Sequence, residues 1–92
     1  VHVLKRAANR PVGYVGSAVM LNAKLKTGVN LMHVVAITKS LGEQLSGKGE
    51  EPEVYRWIDG THSHVTCRFE KGRLTEWTLV RPPGDETPQD GS

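Results

Sequence analysis

Residues 54–80 read VYRWIDGTHSHVTCRFEKGRLTEWTLV, three apolar-rich runs separated by Asp59-Gly60 and by Lys71-Gly72. Glycine reaches the positive-φ backbone of tight hairpin turns without a steric penalty, so each pair sits where a strand should reverse. The stretch predicts a three-stranded antiparallel meander. Just upstream, Asn30 to Gly42 changes period: Leu31, Val34, Ile37 and Leu41 recur at helical spacing and Val35 widens the stripe. Asn30 can cap this helix, Lys39 suits its negative end and Gly42 stops it, leaving Lys39 and Ser40 toward solvent. Its apolar face is expected on the sheet.

Further upstream, Ala18, Leu21 and Leu25 fall at i, i+3 and i+7, with Ser17 as N-cap and Gly28 as stop. This predicts a first helix, although Val19 and Leu21 alternate with Met20 and Asn22 and also fit a strand. The expected fold class is therefore α+β, two N-terminal helices packed on a three-stranded antiparallel β-meander. Residues 17–81 form the single domain. Residues 1–16 are the N-terminal arm, of which 1–12 read as a short strand or irregular stretch broken at Pro11 and 13–16 as loop, and 82–92 read as a disordered acidic tail without apolar side chains except proline. Glu43 to Glu53 contains Gly47, Gly49, Pro52 and three acids within four residues, Glu50, Glu51 and Glu53, the composition of a mobile, solvated connection.

Side-chain parity sets the sheet's registers. Tyr55 and Trp57 share one face of the first strand, and Val65, Cys67 and Phe69 form the inner set of the second. An odd loop of three or five residues after Ile58 would bring Trp57 onto the face of Val65 and Cys67. In the third strand Leu74 and Trp77 are three apart and cannot share a face without a bulge, so one of them is expected to be exposed. With Lys71-Gly72 as a two-residue turn, Phe69 meets Leu74 inside and Trp77 joins Leu79 on the outer face as a contact patch. A bulge would instead rotate Trp77 inward.

Ninety-two residues suffice for one domain. No run approaches the length of a membrane span or has a signal-peptide layout, and the start at Val1 leaves room for an upstream segment. Of the ten acids, three lie in the tail, so residues 1–82 carry twelve basic and seven acidic side chains, a net of +5. Cys67 has no partner cysteine and reads as a small buried hydrophobe rather than a nucleophile.

Little in the chain spells a reaction. His62-Ser63-His64 with Cys67 has the residue types of a zinc site, but His64 and Cys67 are of opposite parity and further ligands are lacking. His64, Cys67 and Glu70 form no recognised triad, and there is neither a G-x-S-x-G elbow nor a phosphate-cradling loop. Arg56, Arg68, Arg73 and Arg81, interleaved with Tyr55, Trp57 and Trp77, could neutralise and stack a single-stranded nucleic acid. Cross-strand pairing of these arginines with Glu70 and Glu76 is the commoner reason for such a pattern.

Gly28-Val29-Asn30 opening a helix with Val34, Leu41-Gly42 closing it, Trp57 in the first strand and Phe69-Glu70-Lys71-Gly72-Arg73-Leu74 at the hairpin together resemble the SmpA/OmlA outer-membrane-assembly lipoprotein domain, within the wider beta-lactamase-inhibitor-like group. The resemblance spans roughly residues 17–81. It implies a non-enzymatic module without cofactor or metal that binds another protein through its sheet face and loops, in a bacterial periplasm where an upstream signal directs it there. The expected binding residues are Trp77, Arg56, Tyr55, Arg68 and His62. Another protein is the expected partner; a second copy of the chain ranks next, and nucleic acid ranks lower. The alternative is a small-molecule or nucleic-acid binding module using an aromatic and basic surface, such as an aromatic-lined gap between helix and sheet.

Overall fold

A computed structural model describes residues 10–83, so the expectations for the first nine residues and for 84–92 lie outside the described residues. The elements run α1 (Ala18–Lys24), α2 (Leu31–Thr38), β1 (Glu43–Gln44), β2 (Glu53–Ile58), β3 (His64–Glu70) and β4 (Arg73–Val80). The strands form one antiparallel sheet in the order β1-β2-β3-β4. The architecture is α+β, with four strands rather than the three expected. The added strand, β1, pairs Glu43 with Arg56 and Gln44 with Tyr55. Two residues are too few to show an alternating pattern, so the segment reads as loop by composition and becomes strand only through its neighbour.

Both helices start where their caps predict. Ser17 Oγ accepts the Met20 N–H at 3.1 Å, and Asn30 Oδ1 accepts the His33 N–H at 2.9 Å. The second helix ends earlier than its apolar stripe suggests. Lys39 turns into the left-handed region at φ 62° and its N–H closes on the Val35 carbonyl, the conformation usually given to glycine at a helix end. The Thr38 hydroxyl donates to the Val34 carbonyl at 2.9 Å. The buried residues are consequently Val34, Val35 and Thr38, whereas Leu41 lies beyond the helix and is 36% exposed. Ser40, expected in solvent, is fully buried.

The hairpins settle the registers. Five residues, 59–63, link β2 to β3, and Trp57 lies opposite Val65 as an odd loop requires. Lys71 and Gly72 form a two-residue turn, at φ 53° and 82° respectively, and Glu70 pairs with Arg73. Arg68 then faces Glu76 while Phe69 faces Leu74, which leaves Thr75 as the extra residue of a bulge. Thr75 Oγ1 donates to the Arg68 carbonyl at 3.2 Å across this irregularity. The bulge carries Trp77 to the face of Cys67 and Leu79 to that of Val65. Leu74 is buried and Trp77 half-buried, so neither is left on the outer face.

The core gathers Val15, Ala18, Leu21, Leu25, Val34 and Val35 from the helical half, and Trp57, Val65, Cys67, Phe69 and Leu74 from the sheet. The first helix packs over β3 and β4. The segment before α1 is tied in as well: the Ile58 N–H donates to the Gly13 carbonyl, the Val15 N–H to the Ile58 carbonyl, and the Gly13 N–H to the Leu41 carbonyl. Apolar burial of this extent, at roughly 25 cal/mol per Å², supplies the main drive for folding.

Candidate functional site

The sheet has a helix-covered inner face and an outer face on which no described element packs. Alternation assigns the anticipated residues between them. Arg56 and Arg68 lie on the outer face, Tyr55 and Trp77 on the inner face, and His62 in the β2–β3 loop with φ 72° and an exposed side chain. They do not meet in one surface, because neighbouring positions on a strand point to opposite sides.

The outer face is organised in cross-strand rows: Ile58, His64 and Val80; Arg56, Thr66 and Thr78; Val54, Arg68 and Glu76. Arg56 Nη2 approaches Glu43 Oε1 at 2.9 Å, and Arg68 reaches Glu70 at 3.3 Å and Glu76 at 3.7 Å. Such exposed pairs contribute about 0–1 kcal/mol each and mainly keep the face solvated. Arg56 Nε is buried with no hydrogen-bond partner among the described residues. At one end of the face the apolar pair Ile58 and Val80, 36% and 44% exposed, flanks His64.

On the inner face Tyr55 is half-buried in an aromatic group, edge-on to Phe69 at 5.9 Å and tilted against Trp57 at 6.4 Å. Burial, helped by Glu53, raises its phenol pKa above the ordinary value. Trp57 is fully buried and its Nε1–H donates to the Ser40 carbonyl at 3.1 Å. The indole is thus part of the core's framework, and no aromatic lines either the groove beside Met20 and Lys24 or the one beside Pro52 and Arg68. Burial pushes the Cys67 thiol up to about 12, which keeps it protonated and a poor nucleophile. His64 is on the outer face and Cys67 on the inner, and the described residues contain no group of three or more His, Cys, Asp or Glu able to hold a metal ion.

Two polar residues organise the loops around this site; the residue pattern marked Asp59 only as a turn position and placed Ser40 in solvent, yet both are buried. Asp59 is 7% exposed and its carboxylate accepts four hydrogen bonds: from the Ala18 N–H at 2.7 Å, the Thr61 hydroxyl at 2.7 Å, the Thr61 N–H at 2.8 Å and the Ser63 N–H at 3.1 Å. Burial pushes its carboxyl up, but these donors together outweigh burial and hold it below the ordinary carboxylate range. The local half of this arrangement, a carboxylate bonded to the backbone two residues on, is the usual habit of Asp before a glycine. Its capture of the first α1 amide, 41 residues away, has no local signal. Ser40 is the second organiser. Its hydroxyl donates to the Pro11 carbonyl and accepts the Tyr14 N–H at 3.2 Å, joining the pre-α1 segment to the end of α2.

No helix among the described residues is long and apolar enough to cross a membrane. Comparison with known proteins finds no matching family model, no matching curated protein and no matching solved structure.

Proposed function

We propose that this domain is a non-enzymatic protein-interaction module that meets its partner through the outer sheet face and the adjoining β2–β3 loop. The observation that carries the reading is the uncovered face with its in-register row of Ile58, His64 and Val80 beside the Arg56 and Arg68 rows. Two exposed apolar side chains flanking a histidine and bordered by paired charges match the core and rim of a modest protein interface, where buried apolar contacts give affinity and the rim sets orientation. The likeness to the SmpA/OmlA domain, resting on the turn, cap and helix residues quoted above, supports the same reading. Arg56 and Arg68 are the binding residues on this face, and His62 is presented at its loop edge. Tyr55 and Trp77 support it from the inner side.

The test is affinity capture with crosslinking, using the wild-type chain and the Ile58→Glu variant. Ile58 is exposed, so the variant should keep its melting temperature while losing a partner that the wild type holds and crosslinks through this face. Binding of a small molecule or an oligonucleotide that raises the melting temperature, with no protein captured, would overturn the reading.

A further inference from the structure

The acids of this chain are confined to one part of it. None of the first 42 residues is Asp or Glu, and all ten acids lie from Glu43 onward. The described portion of that acid-free stretch, 10–42, builds the helical layer and carries Arg10, Lys24, Lys26 and Lys39. Among the described residues the ion pairs belong to Arg56 and Arg68 of the sheet, and these four cations have no acidic partner. Among the described residues the helical layer is therefore a cationic surface without internal compensation.

Two of those cations converge on a concavity. Arg10 and Lys24 line an open groove of about 260 Å³ whose apolar lining includes Val15, Met20, Leu21 and Ile37, and no acid contributes to it. Arg10 is held there from both ends. Its backbone N–H donates to the Lys39 carbonyl at 2.9 Å, and its guanidinium lies 5.8 Å from the centre of the Tyr14 ring. Met20, 57% exposed, is the most accessible apolar side chain of that lining.

Charge and shape narrow the occupant. The groove falls below the roughly 300–1,000 Å³ typical of enclosed small-molecule sites, and it is open. A single-stranded nucleic acid would want aromatic stacking, which the lining lacks. An anionic bilayer would be met by a protruding apolar ridge, whereas this surface is concave. A peptide that presents an apolar side chain between carboxylates satisfies both parts of the lining. We propose that this groove docks an acidic amphipathic segment of a partner protein, with carboxylates on Arg10 and Lys24 and an apolar side chain against Met20 and Ile37. The groove belongs to the helical layer, so the proposal goes beyond the sheet-face reading.

The probe is a short fluorescent peptide in which glutamates flank a pair of leucines, titrated into the full chain by anisotropy. Lys24→Glu and Met20→Glu should each weaken binding by about tenfold or more, as should replacing the peptide's glutamates by glutamines or its leucines by serines. Rising salt should weaken it too, because the charges are exposed. Ile58→Glu should leave peptide affinity unchanged, which separates this groove from the sheet face. Circular dichroism of each variant checks that the fold persists. The proposal is overturned by no binding, by binding that survives both groove substitutions, or by indifference to the leucines. It is equally overturned if vesicles of anionic lipid or an oligonucleotide bind in a Lys24-dependent manner while the peptide does not.

Discussion

Gly42 shows how narrowly a single position can be defined by what lies beside it. A Cβ there would stand 2.7 Å from two ring carbons of Trp57 and 3.0 Å from Tyr55 Cβ. The indole cannot retreat, because it is fully buried and anchored through Nε1 to the Ser40 carbonyl. Gly42 needs no left-handed backbone, so the requirement is one of space alone. Gly42→Ala should destabilise by about 1–3 kcal/mol, the usual cost of overpacking a filled core. Gly60→Ala is its control, with nothing within 4 Å of the added carbon and ordinary φ, and should stay within about 0.5 kcal/mol. Urea unfolding of the two variants checks the difference.

At the scale of elements, the bulge in β4 decides the fate of the second tryptophan. With Thr75 as an extra residue, Trp77 faces Cys67 and packs at the margin of the core, half-buried. Trp57, in the middle of β2, is sealed. Emission from Trp57→Phe, which retains only Trp77, should accordingly lie to the red of emission from Trp77→Phe and be quenched more readily by acrylamide. Equal, strongly blue-shifted spectra from both variants would show that the bulge carries Trp77 fully inside. The same element-level logic explains α2. Its apolar stripe continues to Leu41, but the Thr38 hydroxyl and the left-handed Lys39 close the helix a turn sooner, which swings Ser40 inward and Leu41 out.

For the whole molecule, Asp59 is the tie between layers, since one carboxylate holds both the β2–β3 loop and the first amide of α1. Its folded pKa is depressed, so its contribution is present above the unfolded value of about 3.9 and is lost as pH falls through the folded value. Wild type should therefore lose stability on acidification below about pH 4. Asp59→Asn should be less stable at neutral pH, by about 1–3 kcal/mol for the weakened buried hydrogen bonds, and should lose less on acidification. Melting temperatures of both chains between neutral and acid pH check the sign. The charge layout is also a property of the whole: an acid-free helical layer stands beside a sheet in which Arg56 and Arg68 are paired with acids.

By itself the chain determined whatever depends on near neighbours. The Ser17 and Asn30 caps, the Lys71-Gly72 turn, and the inner set of Val65, Cys67 and Phe69 are all readable because a cap, a turn or an alternating face is complete within a few residues. Only the tertiary structure decided the strand status of Glu43–Gln44, the bulge at Thr75, the burial of Ser40, the reach of Asp59 to Ala18 and the separation of Arg56 and Arg68 from Tyr55 and Trp77. Each of these rests on hydrogen bonds or packing between residues distant in sequence, and such partners exist only once the sheet and helices have come together.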